Sequence, residues 1–117
     1  MLTALIADFR ERDFVSPQRM SQRLRLPLAD LARLAHVHRN TLAMRPDSVA
    51  VQKSLEPVVR ILAAAEQLTG DADRAIVWFR HQPIAGHDGK TAIQLVEAGH
   101  ADAVLSHLDD LRDGAYA

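Results

Sequence analysis

Apolar residues in this 117-residue chain recur at helical spacing almost from end to end, and nowhere do they alternate over the length of a strand. A period between three and four places such residues on one face of a helix, whereas a period of two would line one face of a strand. Leu2, Leu5, Ile6 and Phe9 follow the i, i+3, i+4, i+7 pattern, and Leu28, Leu31, Ala32 and Ala35 form a second face. Leu55, Val58, Val59, Leu62 and Ala65 make a wider third stripe, and Val104, Leu105, Leu108 and Leu111 a fourth, over roughly residues 101–112. The expected fold class is all-α.

The punctuation between these stripes agrees. Ser16 reads as an N-cap with Pro17 in the first turn behind it, which points Met20 and Leu24 inward. Pro46 breaks the chain. Ser54 is expected to cap the next helix, with Pro57 in its first turn, where a missing N–H costs little, and Gly70 at its end. A shorter helix over 71–80 has acidic residues at its positive end and turns Ile76 and either Trp78 or Phe79 to the core. "PIAGHDG" reads as a loop. Thr91 and Gln94 then have the spacing of a capping box, with Ile93, Leu95 and Val96 apolar behind them and Gly99 closing the element. Gly114 is expected to stop the last helix and leave "AYA" as a short tail.

Aromatic residues are only 4% of the chain, so the core must be built from Leu, Val, Ile and Ala. The absence of cysteine excludes disulfides and thiolate zinc sites and fits a reducing cytoplasm, the expected location. The N-terminus lacks the apolar run of a signal peptide, and no apolar stretch nears the ~18 residues of a membrane span, so no membrane association is expected. The net charge of −1 argues by itself against strong nucleic-acid binding. Its distribution is uneven, however. Residues 1–60 carry ten Lys/Arg against six Asp/Glu, a net of +4, and residues 61–117 carry four against nine, a net of −5. Such asymmetry suggests two surfaces for two partners, or a chance scatter of solvated charge.

Residues 35–42, "AHVHRNTL", contain an H-x-H spacing that can hold a metal, but no carboxylate or third histidine lies nearby in sequence, and no metal site is expected. The longer stretch "PLADLARLAHVHRNTL" reads better as two short helices around a turn. The first runs from Leu28 to Ala35, with small Ala32 at the point of closest approach. His36 makes the turn, Val37 sinks into the core, and His38 caps a second helix beginning at Arg39, with Leu31 and Leu42 meeting inside. This is the order of a helix-turn-helix, whose second helix presents its first turn to the major groove. Arg39 suits guanine, Asn40 adenine, and Thr41 a base or phosphate. Together with His38 these are the candidate DNA-contacting residues, and Arg33 and Arg45, with Arg23 and Arg25, are placed to reach phosphates. The turn position that often holds glycine holds His36. From these residues alone two readings stand side by side, DNA contact and a purely structural helix pair. No nucleophile–base pair or phosphate loop is visible, and adjacent Ser106 and His107 lie on different faces of a helix, so neither catalysis nor a cofactor is expected.

The second half, "AIVWFRHQPIAGHDGKTAIQLVEAGHADAVLSHLDDLRDGAYA", has a distinctive order: a helix containing Trp78, then Pro83, then Gly86 and Gly89 leading into "KTAIQLVEAG", then a final helix, a glycine and a very short tail. In this order and spacing the chain resembles the Xre/MbcA/ParS family of antitoxins over roughly residues 25–117. It departs at Ala92, where the family commonly has proline after the capping threonine; alanine at a first helical position should cost little. The resemblance implies a dimeric protein with two parts: residues 1–69 for DNA binding and self-association, and residues 70–117 for binding a toxin. The implied partner is a RES-domain toxin that breaks down NAD or transfers ADP-ribose from it, neutralised by insertion of the antitoxin's C-terminus toward the NAD pocket. The complex, or the antitoxin alone, is implied to repress its own operator. Implied toxin contacts are Lys90, Thr91, Arg112, Asp113, Gly114, Ala115, Tyr116 and Ala117. Tyr116 would serve as an amphipathic anchor, and the acidic half has the right sign for an electropositive NAD cleft. Thr91 also has a purely local use as a cap, and Trp78 belongs with the core. The alternative function is a stand-alone helix-turn-helix regulator with no toxin.

Overall fold

The computed structural model describes residues 3–114. Among these, the elements run α1 (Ala4–Phe9), β1 (Arg10–Glu11), β2 (Phe14–Val15), α2 (Pro17–Leu24), α3 (Leu28–Ala35), α4 (Arg39–Met44), α5 (Val49–Thr69), α6 (Ala72–His81), α7 (Ala92–Glu97) and α8 (Ala101–Gly114). The class is all-α, as the periodicity requires. Leu2 lies outside the described residues.

The strand pair departs from the sequence reading. β1 and β2 are antiparallel, with Arg10 opposite Val15 and Glu11 opposite Phe14. Two residues per strand are too few to register as alternation, so this hairpin could not be read from apolar spacing.

The larger correction concerns α5. Ser48, not Ser54, is its N-cap, and its side chain accepts the Val51 N–H at 3.2 Å. The helix then runs 21 residues, with Pro57 in its interior. Ser54 sits inside the helix and donates its hydroxyl to the Ala50 carbonyl at 2.9 Å. Pro57 has no N–H to give the Lys53 carbonyl, a defect that costs about 3 kcal/mol in a helix interior. The apolar stripe extends upstream through fully buried Val51, and burying it carries the helix past the local stop signal. Gly70, at φ 75°, ends α5 as expected.

One contiguous core draws on every helix. α5 is its spine, packing against α1, α3, α6, α8 and β2. Leu5 and Phe9 of α1, Met20 and Leu24 of α2, Leu31 of α3 and Leu42 of α4 are fully buried around it. On α6 the core residues are Ala75 and Phe79, and Ile76 and Trp78 pack half-buried against the cluster edge. α1 is held from a distance, because the Glu66 carboxylate accepts the Ala4 N–H at 3.0 Å and the Leu5 N–H at 2.8 Å. These donors have no partner within their own helix, and a carboxylate at a helix start is favourable.

α7 carries the expected capping box, with Thr91 Oγ1 accepting the Gln94 N–H at 3.3 Å and Gln94 Oε1 accepting the Thr91 N–H at 2.9 Å. α8 continues through Gly114, two residues beyond its expected end. Leu111, expected to face inward, is 44% exposed, because residues 109–114 stand clear of the core.

Candidate functional site

The helix-turn-helix forms where the sequence placed it, and its turn is held by backbone and side chain together. His36 adopts the left-handed conformation, at φ 58° and ψ 42°. The His36 N–H bonds the Arg33 carbonyl at 3.3 Å and the Val37 N–H bonds the Ala32 carbonyl at 3.1 Å, the paired closure of a Schellman motif. Glycine is the usual residue at that position; here a histidine occupies it. Its Nε2 lies 3.1 Å from the carbonyl oxygen of Val96, at the end of α7. Val37 packs against the core, and Leu31 and Leu42 are fully buried beside the small, buried Ala32. His38 stands at the N-cap of α4 but makes no side-chain capping bond.

Arg39, Asn40 and Thr41 occupy the first turn of α4 and are exposed. Arg45, just beyond the helix, is exposed as well. No hydrogen bond or ion pair among the described residues engages the side chains of Arg39, Asn40 or Arg45, so they are available to a ligand. Arg33 is placed differently. Its guanidinium pairs with Asp30 one turn back and lies 3.6 Å from Glu97 on α7. Arg23 is also committed, to Asp8 at 3.1 Å and Asp73 at 3.0 Å. Its guanidinium is held above the ordinary arginine range, chiefly by the Asp8 hydrogen bond; partial burial works in the opposite direction, and Asp73 adds to the rise. Two of the four arginines expected to reach phosphate thus serve the fold.

In the C-terminal half, Lys90 is exposed and Thr91 half-buried. The strap that carries them is tied down by the Ile84 N–H donating to the Lys90 carbonyl at 2.8 Å and by a bridge between Pro83 and Thr91. Arg112, Asp113 and Gly114 lie exposed in the last turn of α8, where Arg112 pairs with Asp109 at 3.4 Å and Asp113 at 3.3 Å. No hydrogen bond or ion pair among the described residues joins Lys90 and Thr91 to this turn. Ala115, Tyr116 and Ala117 lie outside the described residues. No group of three metal-ligating side chains converges among the described residues, and no helix there is long and apolar enough to cross a membrane.

Two features escaped the sequence reading. Met44 is 80% and Val49 73% exposed, flanking the loop between α4 and α5. Both lie off the apolar stripes, and that position is the only trace of their exposure in the sequence. The second is Arg80, whose Nη1 donates to the carbonyls of Leu24 at 3.0 Å and Arg25 at 3.2 Å, across 56 and 55 residues.

Residues 64–114, from the last turns of α5 through α8, match the family model of the antitoxin Xre/MbcA/ParS C-terminal toxin-binding domain. They hold nine Asp/Glu against four Lys/Arg, so the acidic half of the chain is its toxin-binding half. Over these residues the chain is similar to the toxin-binding domain of Xre/MbcA/ParS-type antitoxins, which supports an antitoxin role in a toxin–antitoxin system with a toxin protein as partner. Searches of curated proteins and of solved structures returned no match.

Proposed function

We propose that this antitoxin neutralises a RES-domain toxin that degrades NAD or transfers ADP-ribose from it, and that it represses its own operon through α3 and α4. The observation that carries the reading is the joining of two parts in one chain: a toxin-binding segment at 64–114 and, ahead of it, a helix-turn-helix whose second helix offers unengaged Arg39 and Asn40. The working division is residues 1–69 for DNA and self-association and 70–117 for the toxin. The chain acts in the cytoplasm by binding and not by catalysis, as a homodimer whose two α4 helices meet half-sites about one helical turn apart, ~34 Å.

On this reading the C-terminus enters the toxin's NAD pocket. α8 projects an exposed end bearing Arg112, Asp113 and Gly114, and the residues that follow include Tyr116. A tyrosine ring fills an apolar recess while its hydroxyl finds a partner, and negative charge suits a cleft built for a pyrophosphate. Lys90 and Thr91 flank the contact from the strap before α7.

Deleting residues 113–117 tests it. NAD consumption by the co-expressed RES toxin should resume, while binding to promoter DNA is retained. Unchanged neutralisation by the truncated chain would rule out tail insertion, and promoter binding with no toxin captured would favour a stand-alone regulator.

A further inference from the structure

Two of the helix stops around the helix-turn-helix lack glycine. Arg25 closes α2 at φ 55° and His36 closes α3 at φ 58°, so α3 lies between two left-handed residues that carry a Cβ. Both stops have the same backbone closure. The Arg25 N–H bonds Gln22 and the Leu26 N–H bonds Ser21, just as His36 and Val37 bond Arg33 and Ala32. A residue other than glycine holds this conformation against a steric cost, and it persists where its surroundings fix it.

At each stop the toxin-binding segment adds a contact to this local closure. Arg80 of α6 donates to the Arg25 carbonyl, and Val96 of α7 meets the His36 ring. The Val96 carbonyl already belongs to the stop of α7, where it accepts the Gly99 N–H at 3.0 Å. A carbonyl only accepts, so His36 Nε2 must carry the hydrogen; both the Nε2–H tautomer and the imidazolium can supply it. The ends of α3 and α7 therefore share one oxygen, and the Arg33–Glu97 pair at 3.6 Å spans the same junction. Beside it lies a cleft of about 210 Å³, lined by Leu34, Ala35, His36, Pro57, Val96 and Gly99. Close packing elsewhere resists displacement, whereas this cleft leaves the end of α7 room to shift.

We propose that His36 is a positioning residue: its bond to Val96 ties the setting of the α3–α4 turn to the packing of α7, so that a protein partner bound over α7 and α8 alters DNA contact by α4. The proposal rests on α4 being the DNA-contacting helix. Such a linkage is reciprocal, and DNA must alter the affinity for the partner by the same factor.

The test uses the full chain and four proteins: wild type, Thr91→Ala, His36→Gly and the double variant. Thr91→Ala loosens α7 at its capping box, the end away from Val96, and glycine at position 36 keeps the left-handed backbone while deleting the ring. Amide hydrogen exchange in residues 38–44 is read relative to Leu5–Phe9 of α1, which report general opening. Thr91→Ala should speed exchange in α4 by about twofold to tenfold when His36 is present and leave it unchanged when glycine replaces it. An equal response in both backgrounds, or none in wild type, overturns the proposal. Titration with a duplex from upstream of the chain's own gene is the second arm. Thr91→Ala should weaken it by a similar factor only when His36 is present. Coupled exchange with no duplex bound by any variant would sink the DNA reading and leave the His36 tie standing.

Discussion

Gln52 meets the backbone of Val15 as a neighbouring strand would: its Oε1 accepts the Val15 N–H at 2.9 Å and its Nε2 donates to the Val15 carbonyl at 2.8 Å. The same Nε2 also donates to the Pro46 carbonyl at 2.8 Å, in the loop between α4 and α5. One side chain on α5 therefore holds the hairpin and the segment that follows α4. Gln52→Ala would leave these groups to water or to no partner, at a cost of about 1–3 kcal/mol in a urea unfolding curve. Gln52→Glu should cost a comparable amount, because a carboxylate has no N–H for the two carbonyls. Wild-type stability in either variant would show that water substitutes fully.

Leu42 is the single buried residue of α4, and nothing else on that short helix anchors it to the core. Leu42→Ala should destabilise the chain by about 3–5 kcal/mol, the range for a leucine truncated in a packed core. Leu42→Met keeps the volume and should cost less than about 1.5 kcal/mol. Thermal unfolding followed by far-ultraviolet circular dichroism separates the two.

Arg39 and Asn40 are exposed and carry no structural duty, so replacing them with alanine should leave stability within about 0.5 kcal/mol of wild type. Promoter affinity should fall by about 1–3 kcal/mol for each of the two side chains that reads a base. Arg45→Ala should instead weaken binding on all sequences alike and lower the salt slope by about one. Fluorescence anisotropy across a salt series distinguishes them. An unchanged affinity in the Arg39 and Asn40 variants would remove α4 from the DNA interface.

Arg23 joins α2 to Asp8 of α1 and to Asp73 of α6. Its raised pKa places any loss of its charge above the ordinary arginine range, so alkaline pH does not remove this contribution within the accessible range, and salt is the variable that reveals it. Both partners are substantially exposed, which limits each pair to about 0.2–1 kcal/mol. Arg23→Ala should therefore lower stability by roughly 1 kcal/mol at low ionic strength, and the difference should shrink at 1 M salt, where the screening length is about 3 Å.

Local physics made much of this molecule legible in advance. The caps at Ser16 and Thr91, the stop at Gly70 and the turn through His36 and Val37 each depend on residues within one helical turn, and each was readable as spacing. Pro57 misled because its local cost is real but is outweighed by a stripe that continues to Val51. The candidate site was legible in part. The exposure of Arg39 and Asn40 follows from the phase of α4, set by Leu42. The commitments of Arg23, Arg33 and Arg80 do not follow from sequence, because their partners are chosen by helix packing across as many as 64 positions, as between Arg33 and Glu97. The same is true of Glu66 at the start of α1 and of Val96 at His36.

The core described above is continuous from Leu5 through α5 to Leu108. Complete unfolding of a chain with such a core is expected to be one cooperative transition, beneath which individual elements still open locally. In that transition α4 and the helices of the toxin-binding segment are lost together. Complete unfolding of one molecule withdraws both at once, so under the proposed function the concentration of folded chain is a single dial setting promoter occupancy and free toxin together.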